Sequence, residues 1–179
     1  SLKRLSHRGP DDFGIFQDRQ ALVGLGHVRL SILDITPLGH QPMTSNDDKV
    51  VLVYNGEIYN FSELRDDLEE EGVTFQGGSD TEVLLNLYIA KGEGMLPKLN
   101  GIFAFAIWDS LKRELFIARD GLGVKPLYYC AKDECFAFAS EIKALLHLIP
   151  KEKALDIKAI HRYLTFLWCP GEGTPLKSV

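Results

Sequence analysis

The sequence predicts an α+β domain of antiparallel sheets covered by helices. Three observations lead there. Strand-like apolar runs come in groups, at 50–54 and then at 102–109, 114–118, 127–131 and 134–139. Two helical patterns, 61–71 and 81–91, lie together between the first run and the rest. No strict strand–helix alternation, the mark of a parallel sheet, runs through the chain.

Composition narrows the function classes. The 179 residues have the length of one domain with room for a core. With 45% hydrophobic and 25% charged residues, the chain is ordinary globular material rather than a disordered or membrane protein. A net charge of -5, with acids at 11–12, 47–48 and 66–71, offers no basic stripe, so nucleic acid is not an expected partner. Cys130, Cys135 and Cys169 are odd in number and lack metal-ligand spacing. They are expected as free thiols in a reducing cytoplasm, with Cys130 and Cys135 in the core. No run approaches the roughly 20 apolar residues of a membrane-spanning helix, and residues 1–10 lack the apolar centre of a signal peptide. The first residue is Ser rather than Met, and 169–179 trails off through Pro170, Gly171, Gly173 and Pro175, so an excised piece of a longer protein is expected.

Taken in order, residues 6–12 form a polar turn on Gly9-Pro10 that precedes strands at 13–17 and 21–30. His7 and Arg8 stand where loop meets strand, as hydrogen-bonded turn residues or as site residues. Arg29 closes the second strand, either as a solvated edge charge or as a fork awaiting a carboxylate. Pro37, Gly39 and Pro42 make 36–46 a surface loop. The buried run at 50–54 then ends on Asn55-Gly56-Glu57. Asn-Gly between apolar runs is a hairpin signal, and such a turn would also present an amide, a backbone N–H and a carboxylate together.

A helix over 61–71 follows, with Ser62 as its expected N-cap, Phe61, Leu64 and Leu68 on its apolar stripe and a solvated acidic face. Ser79 or Asp80 caps the next helix, whose stripe is Val83, Leu84, Leu87 and Tyr88. An Asp at a helix start can cap with one oxygen and present the other to a ligand ammonium group. The four later strands read as an antiparallel meander. Residues 119–126 between them lack the Gly-x-x-x-x-Gly-Lys-Ser/Thr spacing of a phosphate loop. Helices at 140–148, capped by Ser140, and at 156–164 complete the expected elements.

Eight motifs in order carry a family resemblance: HRGPDD at 7–12, GHVRLSILD at 26–34, QPM at 41–43, YNGEIYN at 54–60, SDTEVLL at 79–85, LNGIFAFAIWD at 99–109, RDGLGVKPLYY at 119–129 and FASEIKALL at 138–146. From about Leu5 onward the chain resembles the class II glutamine amidotransferase domain, in the version found at the N-terminus of glutamine-dependent asparagine synthetases. That resemblance implies a four-layer αββα sandwich of two antiparallel sheets flanked by helices, the N-terminal-nucleophile hydrolase fold. It implies a glutamine amidotransferase domain over 1–165, lacking its nucleophile segment, and the start of a connection to an ATP-dependent synthetase domain over 166–179. The implied chemistry is hydrolysis of glutamine to glutamate and ammonia, the ammonia serving ATP-dependent conversion of aspartate to asparagine.

The resemblance also implies roles. Arg29 grips the α-carboxylate of glutamine, while Leu30, Ser31, Ile32 and Leu33 line the side-chain slot with backbone atoms. The Asn55 amide and Gly56 N–H form the oxyanion hole, and Glu57 and Asp80 receive the α-ammonium group. Two anions and one guanidinium match a zwitterion, and the two donors act where charge develops in the tetrahedral intermediate. In the family the nucleophile is an N-terminal cysteine activated by its own α-amine. Cys130, Cys135 and Cys169 do not have that form, so no glutaminase turnover is expected from residues 1–179 alone. No cofactor or metal is expected in this domain, and ATP with Mg²⁺ belongs to the synthetase domain. Expected partners are L-glutamine, that synthetase domain, and a second copy in a homodimer, because a sheet missing its first strand exposes an edge. Two alternatives stay open: a non-catalytic glutamine-binding or scaffold domain, and an amidotransferase serving another acceptor.

Overall fold

The computed structural model describes residues 1–30, 36–132, 134–149, 154–171 and 173–179. The chain divides into two compact units, one of residues 4–125 with Leu2, the other of residues 126–179 with Ser1 and Lys3.

In the larger unit β1 (Asp12–Asp18) and β2 (Val23–Arg29) form an antiparallel ribbon, registered from Asp12 opposite Arg29 to Asp18 opposite Val23. Its turn is held by Asp18, whose Oδ1 accepts the N–H groups of Gln20 and Ala21, each at 3.0 Å. The region expected as loop at 36–46 contains a 3₁₀ turn at Pro37–Gly39 and a two-residue strand, β3 (Met43–Thr44). So short a strand has no period to read; it exists because it pairs with β4 (Val50–Ile58). The main sheet has the order β3-β4-β5-β6, with β5 at Gly101–Asp109 and β6 at Glu114–Arg119.

One face of this sheet is covered by α1 (Phe61–Glu70) and α2 (Asp80–Lys91). Val50, Leu52, Tyr54, Ile58, Phe103, Phe105 and Ile107 from the sheet pack against Leu64, Leu68, Val83, Leu84, Leu87 and Tyr88 from the helices. Each such side chain contributes about 1.5–3 kcal/mol when taken wholly from water. On the opposite face the ribbon is tied to the sheet by the Trp108 indole, which donates to Asp18 Oδ2 at 3.2 Å. Ser62 is not the cap of α1. Asn60 holds that position without a capping bond, because its amide is engaged with Lys98 O and Asn100 N.

In the smaller unit β7 (Tyr128–Lys132) and β8 (Cys135–Ala139) make a hairpin, with Tyr129 and Phe136 stacked at 6.0 Å between centroids. The helix expected over 140–148 is only the single turn α3 (Ile142–Leu145), entered from Glu141 rather than Ser140. α4 (Ile157–Phe166) is capped by Asp156, whose Oδ1 accepts from Lys158 and Ala159. Cys130 is buried, whereas Cys135, expected in the core, is exposed at the hairpin end.

The α+β class with antiparallel sheets and helices is as expected. The meander is not: β5–β6 and β7–β8 are separate hairpins in separate sheets. The reason lies in the loop after β6. Asp120, 7% exposed, accepts the N–H groups of Val124 (2.8 Å), Lys125 (3.0 Å) and Phe103 (3.2 Å). Those backbone donors are satisfied by the carboxylate, so the chain closes around Asp120 instead of returning beside β6. Arg119 clamps the same loop through Lys125 O and Gly123 O.

Candidate functional site

Of the expected site residues, Asn55, Gly56 and Glu57 lie in the C-terminal half of β4, and Asp80 bonds that half through Ile58 N. The expected hairpin turn at Asn55-Gly56-Glu57 is absent. β4 runs straight through, pairing residue for residue with β5 from Val50 opposite Asp109 to Ile58 opposite Gly101. Gly56 serves close approach rather than a turn. A Cβ there would lie 2.8 Å from Phe103 Cα and 2.7 Å from the Tyr54 ring, with the Ile102 carbonyl oxygen closer still.

Pairing leaves the other edge of β4 to be satisfied by side chains. Ser45 Oγ accepts from Val50 N at 3.0 Å, Leu52 pairs with β3, Gln41 Oε1 accepts from Tyr54 N at 2.7 Å, and Asp80 Oδ2 accepts from Ile58 N at 3.1 Å. His27 Nε2 donates to Tyr54 O at 3.0 Å. Gly56 belongs to the same outward series, because Phe103 opposite it turns its own N–H and C=O toward Asp120. Among the described residues, the Gly56 N–H has no hydrogen-bond partner. Next to it, Asn55 is half-buried and Glu57 exposed, and both project from the face opposite the helices.

Asp80 opens α2 but is not its cap. Ser79 is, its Oγ accepting from Glu82 N at 3.3 Å. The Asp80 carboxylate is 5% exposed and turns toward β4, where Oδ2 also accepts the Tyr54 phenol at 2.7 Å. Burial pushes its pKa up and the nearby Glu57 charge adds to that, while the Tyr54 hydroxyl and the N–H groups of Ile58 and Thr81 pull it back. Burial and the Asp80 charge drive the Tyr54 phenol far above the ordinary tyrosine range. His27 is pushed down to about 4, chiefly by burial, so its ring is neutral at pH 7. Its Nδ1 is buried without a hydrogen-bond partner among the described residues.

Arg29 ends β2 on the same side of the strand as His27, and its Nη1 donates to Thr36 O at 3.2 Å. The turn after His7 and Arg8 packs on it: a Cβ at Gly9 would meet the backbone of Val28 and Arg29, and Asp11 N donates to Arg29 O at 3.1 Å. Asp12 in turn holds His40, with Oδ2 to Nδ1 at 2.6 Å. Leu30 is exposed, and Ser31, Ile32 and Leu33 lie outside the described residues. Asn55, Gly56, Glu57 and Asp80 thus share one end of β4. Sequence reasoning missed Tyr54, Gln41, His27 and Asp120 as groups that hold that end. Tyr54, Gln41 and His27 lie within the quoted motifs, but their partners are 13 to 27 residues away, beyond any local pattern. No helix of the described residues is long and apolar enough to cross a membrane.

A family described as the glutamine amidotransferase domain matches residues 1–179. Asparagine synthetase (glutamine-hydrolyzing) 1 of Bacillus subtilis is 44% identical over 168 residues, covering 94% of this chain and 26% of that protein. The putative asparagine synthetase (glutamine-hydrolyzing) 2 of Methanocaldococcus jannaschii is 41% identical, covering 94% of this chain and 36% of that protein. The chain therefore spans about a quarter to a third of the length of these relatives. Among solved structures, the glutamine phosphoribosylpyrophosphate amidotransferase from B. subtilis, complexed with ADP and GMP, superposes with a TM-score of 0.58 at 29% identity. That match covers 70% of this chain and 29% of the other.

Proposed function

Because this chain belongs to the glutamine amidotransferase domain family, we propose that it binds L-glutamine at the end of β4 and directs cleavage of the side-chain amide. The likeness to asparagine synthetases at 44% and 41% identity supports a parent enzyme that makes asparagine. In this reading Arg29 takes the α-carboxylate, Glu57 and Asp80 take the α-ammonium group, and backbone from Leu30, Ser31, Ile32 and Leu33 lines the slot. As a nucleophile adds to the amide carbon, its oxygen becomes an oxyanion received by the Asn55 amide and the Gly56 N–H. Breaking the C–N bond then releases ammonia, and water supplies the oxygen that completes glutamate. A synthetase region joins the β-carboxylate of aspartate to the AMP part of Mg²⁺-bound ATP, releasing pyrophosphate, and the ammonia displaces AMP. The three free thiols suit a reducing compartment such as the cytoplasm.

The observation that carries the reading is the Gly56 N–H, the one outward amide of β4 left without a partner among the described residues, beside the Asn55 side chain. The test is ammonia release from L-glutamine by the full-length protein, with asparagine formation followed in the presence of Mg²⁺-ATP and aspartate. Asn55→Ala is expected to lower turnover by about 10²–10³, the usual cost of one oxyanion donor. A loss under threefold removes Asn55 from the hole. Saturable L-glutamine binding with no ammonia release makes the protein a binding module instead.

A further inference from the structure

We propose that Tyr54 is a positioning residue for substrate recognition, its phenol holding the Asp80 carboxylate while its backbone, clamped by Gln41 and His27, sets the place of Asn55. The inference rests on the reading above, in which Asp80 takes the α-ammonium group of glutamine. Tyr54 makes three fixed contacts. Its hydroxyl donates to Asp80 Oδ2 at 2.7 Å, its N–H donates to Gln41 Oε1 at 2.7 Å, and its C=O accepts from His27 Nε2 at 3.0 Å. Both Tyr54 and Asp80 are nearly excluded from water, at 4% and 5% exposed.

A phenylalanine would fill the same place in the core between β4 and α2. The hydroxyl is explained only by the carboxylate, because a buried anion needs donors directed at it. Two donors, the Tyr54 hydroxyl and Ile58 N–H, fall on the same oxygen and so hold the carboxylate by one edge. The Tyr54 phenol, from β4, bonds Asp80 directly, and the Glu57 charge, carried on the other face of the same strand, works through space against its ionisation. Since the phenol titrates far above any working pH, it remains a donor throughout. Removing it shifts the balance toward burial, so Asp80 takes up its proton at a higher pH. A protonated Asp80 cannot pair with the ammonium group, and glutamine affinity then falls off earlier on acidification.

The test is calorimetric titration of the full-length protein between pH 4 and 8, with L-glutamine and with glutaramate, which is glutamine without its α-amino group. Asp80→Asn is expected to weaken L-glutamine at least tenfold and glutaramate less than twofold. Tyr54→Phe is expected to weaken L-glutamine roughly tenfold and to move the acid limb of its affinity up by about one pH unit, as for a lost hydrogen bond to a charged group. Glutaramate binding should stay within twofold, which general loosening of the site would not allow. If Tyr54→Phe does not fold, 3-fluorotyrosine at position 54 keeps the volume, strengthens the donor and should move the limb down. Equal weakening of both ligands, or an acid limb that stays in place, overturns the inference while leaving the glutamine reading standing. An Asp80→Asn variant with unchanged preference for L-glutamine, or a wild-type protein that does not bind it, overturns the role of Asp80 and the inference together.

Discussion

Replacing Gly56 with alanine tests how tightly β4 and β5 are apposed. The added methyl would sit 2.8 Å from Phe103 Cα and 2.7 Å from the Tyr54 ring, as well as against the Ile102 carbonyl. Ordinary contact needs at least 0.6 Å more on each side than those distances provide, by the roughly 3.4 Å at which carbon atoms meet without strain. Two of the three obstacles are backbone of β5, and they cannot retreat easily. Phe103 is bonded to Asp120 through both its N–H and its C=O, and β5 is paired with β6 beyond it. Relief must come from parting β4 and β5, which weakens the ladder bonds flanking Gly56 at about 1 kcal/mol each. Added to the usual cost of overpacking, the loss is about 3 kcal/mol. For a chain of 179 residues that is a fall in Tm of roughly 6–12 °C. Urea unfolding followed by the fluorescence of Trp108, buried in β5, measures it. Gly78→Ala is the control, because a Cβ there meets nothing within 4 Å, and it should be neutral or slightly stabilising. A Gly56→Ala loss below about 1 kcal/mol would refute the close apposition.

Two other outcomes follow from the same geometry. Asp120→Asn points an amide donor at backbone N–H groups and should cost about 2 kcal/mol at pH 7 by urea unfolding. Burial alone would raise the Asp120 pKa, but the N–H groups of Lys125, Val124, Phe103 and Leu122 outweigh it and hold the carboxyl below its ordinary value. A depressed carboxyl contributes stability above its unfolded pKa of about 3.9 and loses it as pH falls through the folded value. The difference between wild type and variant should therefore shrink below about pH 4; a constant difference down to pH 2 argues against the ionised clasp. Among the thiols, exposed Cys135 should react with a maleimide first and buried Cys130 only on unfolding, so equal rates would contradict the burial of Cys130.

Most strands were legible because their apolar runs are long. Residues 102–109 and 114–118 were read within a residue of β5 and β6. At Asn55-Gly56 the local hairpin signal is outweighed by nine residues of continuous pairing with β5, a partner more than 40 positions away. The meander failed for a related reason: nothing near Asp120 in sequence announces that Phe103, 17 residues earlier, will donate to it. α2 was read correctly by its apolar positions, yet the direction of Asp80 depends on the Tyr54 hydroxyl, 26 residues distant. Motif order names Asn55, Gly56, Glu57 and Asp80, but the hydrogen bonds that hold these groups are long-range and belong to the fold.

The outer edge of β4 is protected in an uncommon manner. Beyond the two-residue pairing with β3, single side chains from Gln41, Ser45, His27 and Asp80 each occupy one position, and among the described residues only Gly56 is passed over. Under the glutamine reading proposed above, guarding against unwanted strand recruitment and selecting a ligand are two outcomes of one set of residues. A change that uncovers a second position on this edge offers another polypeptide a place to pair beside Gly56.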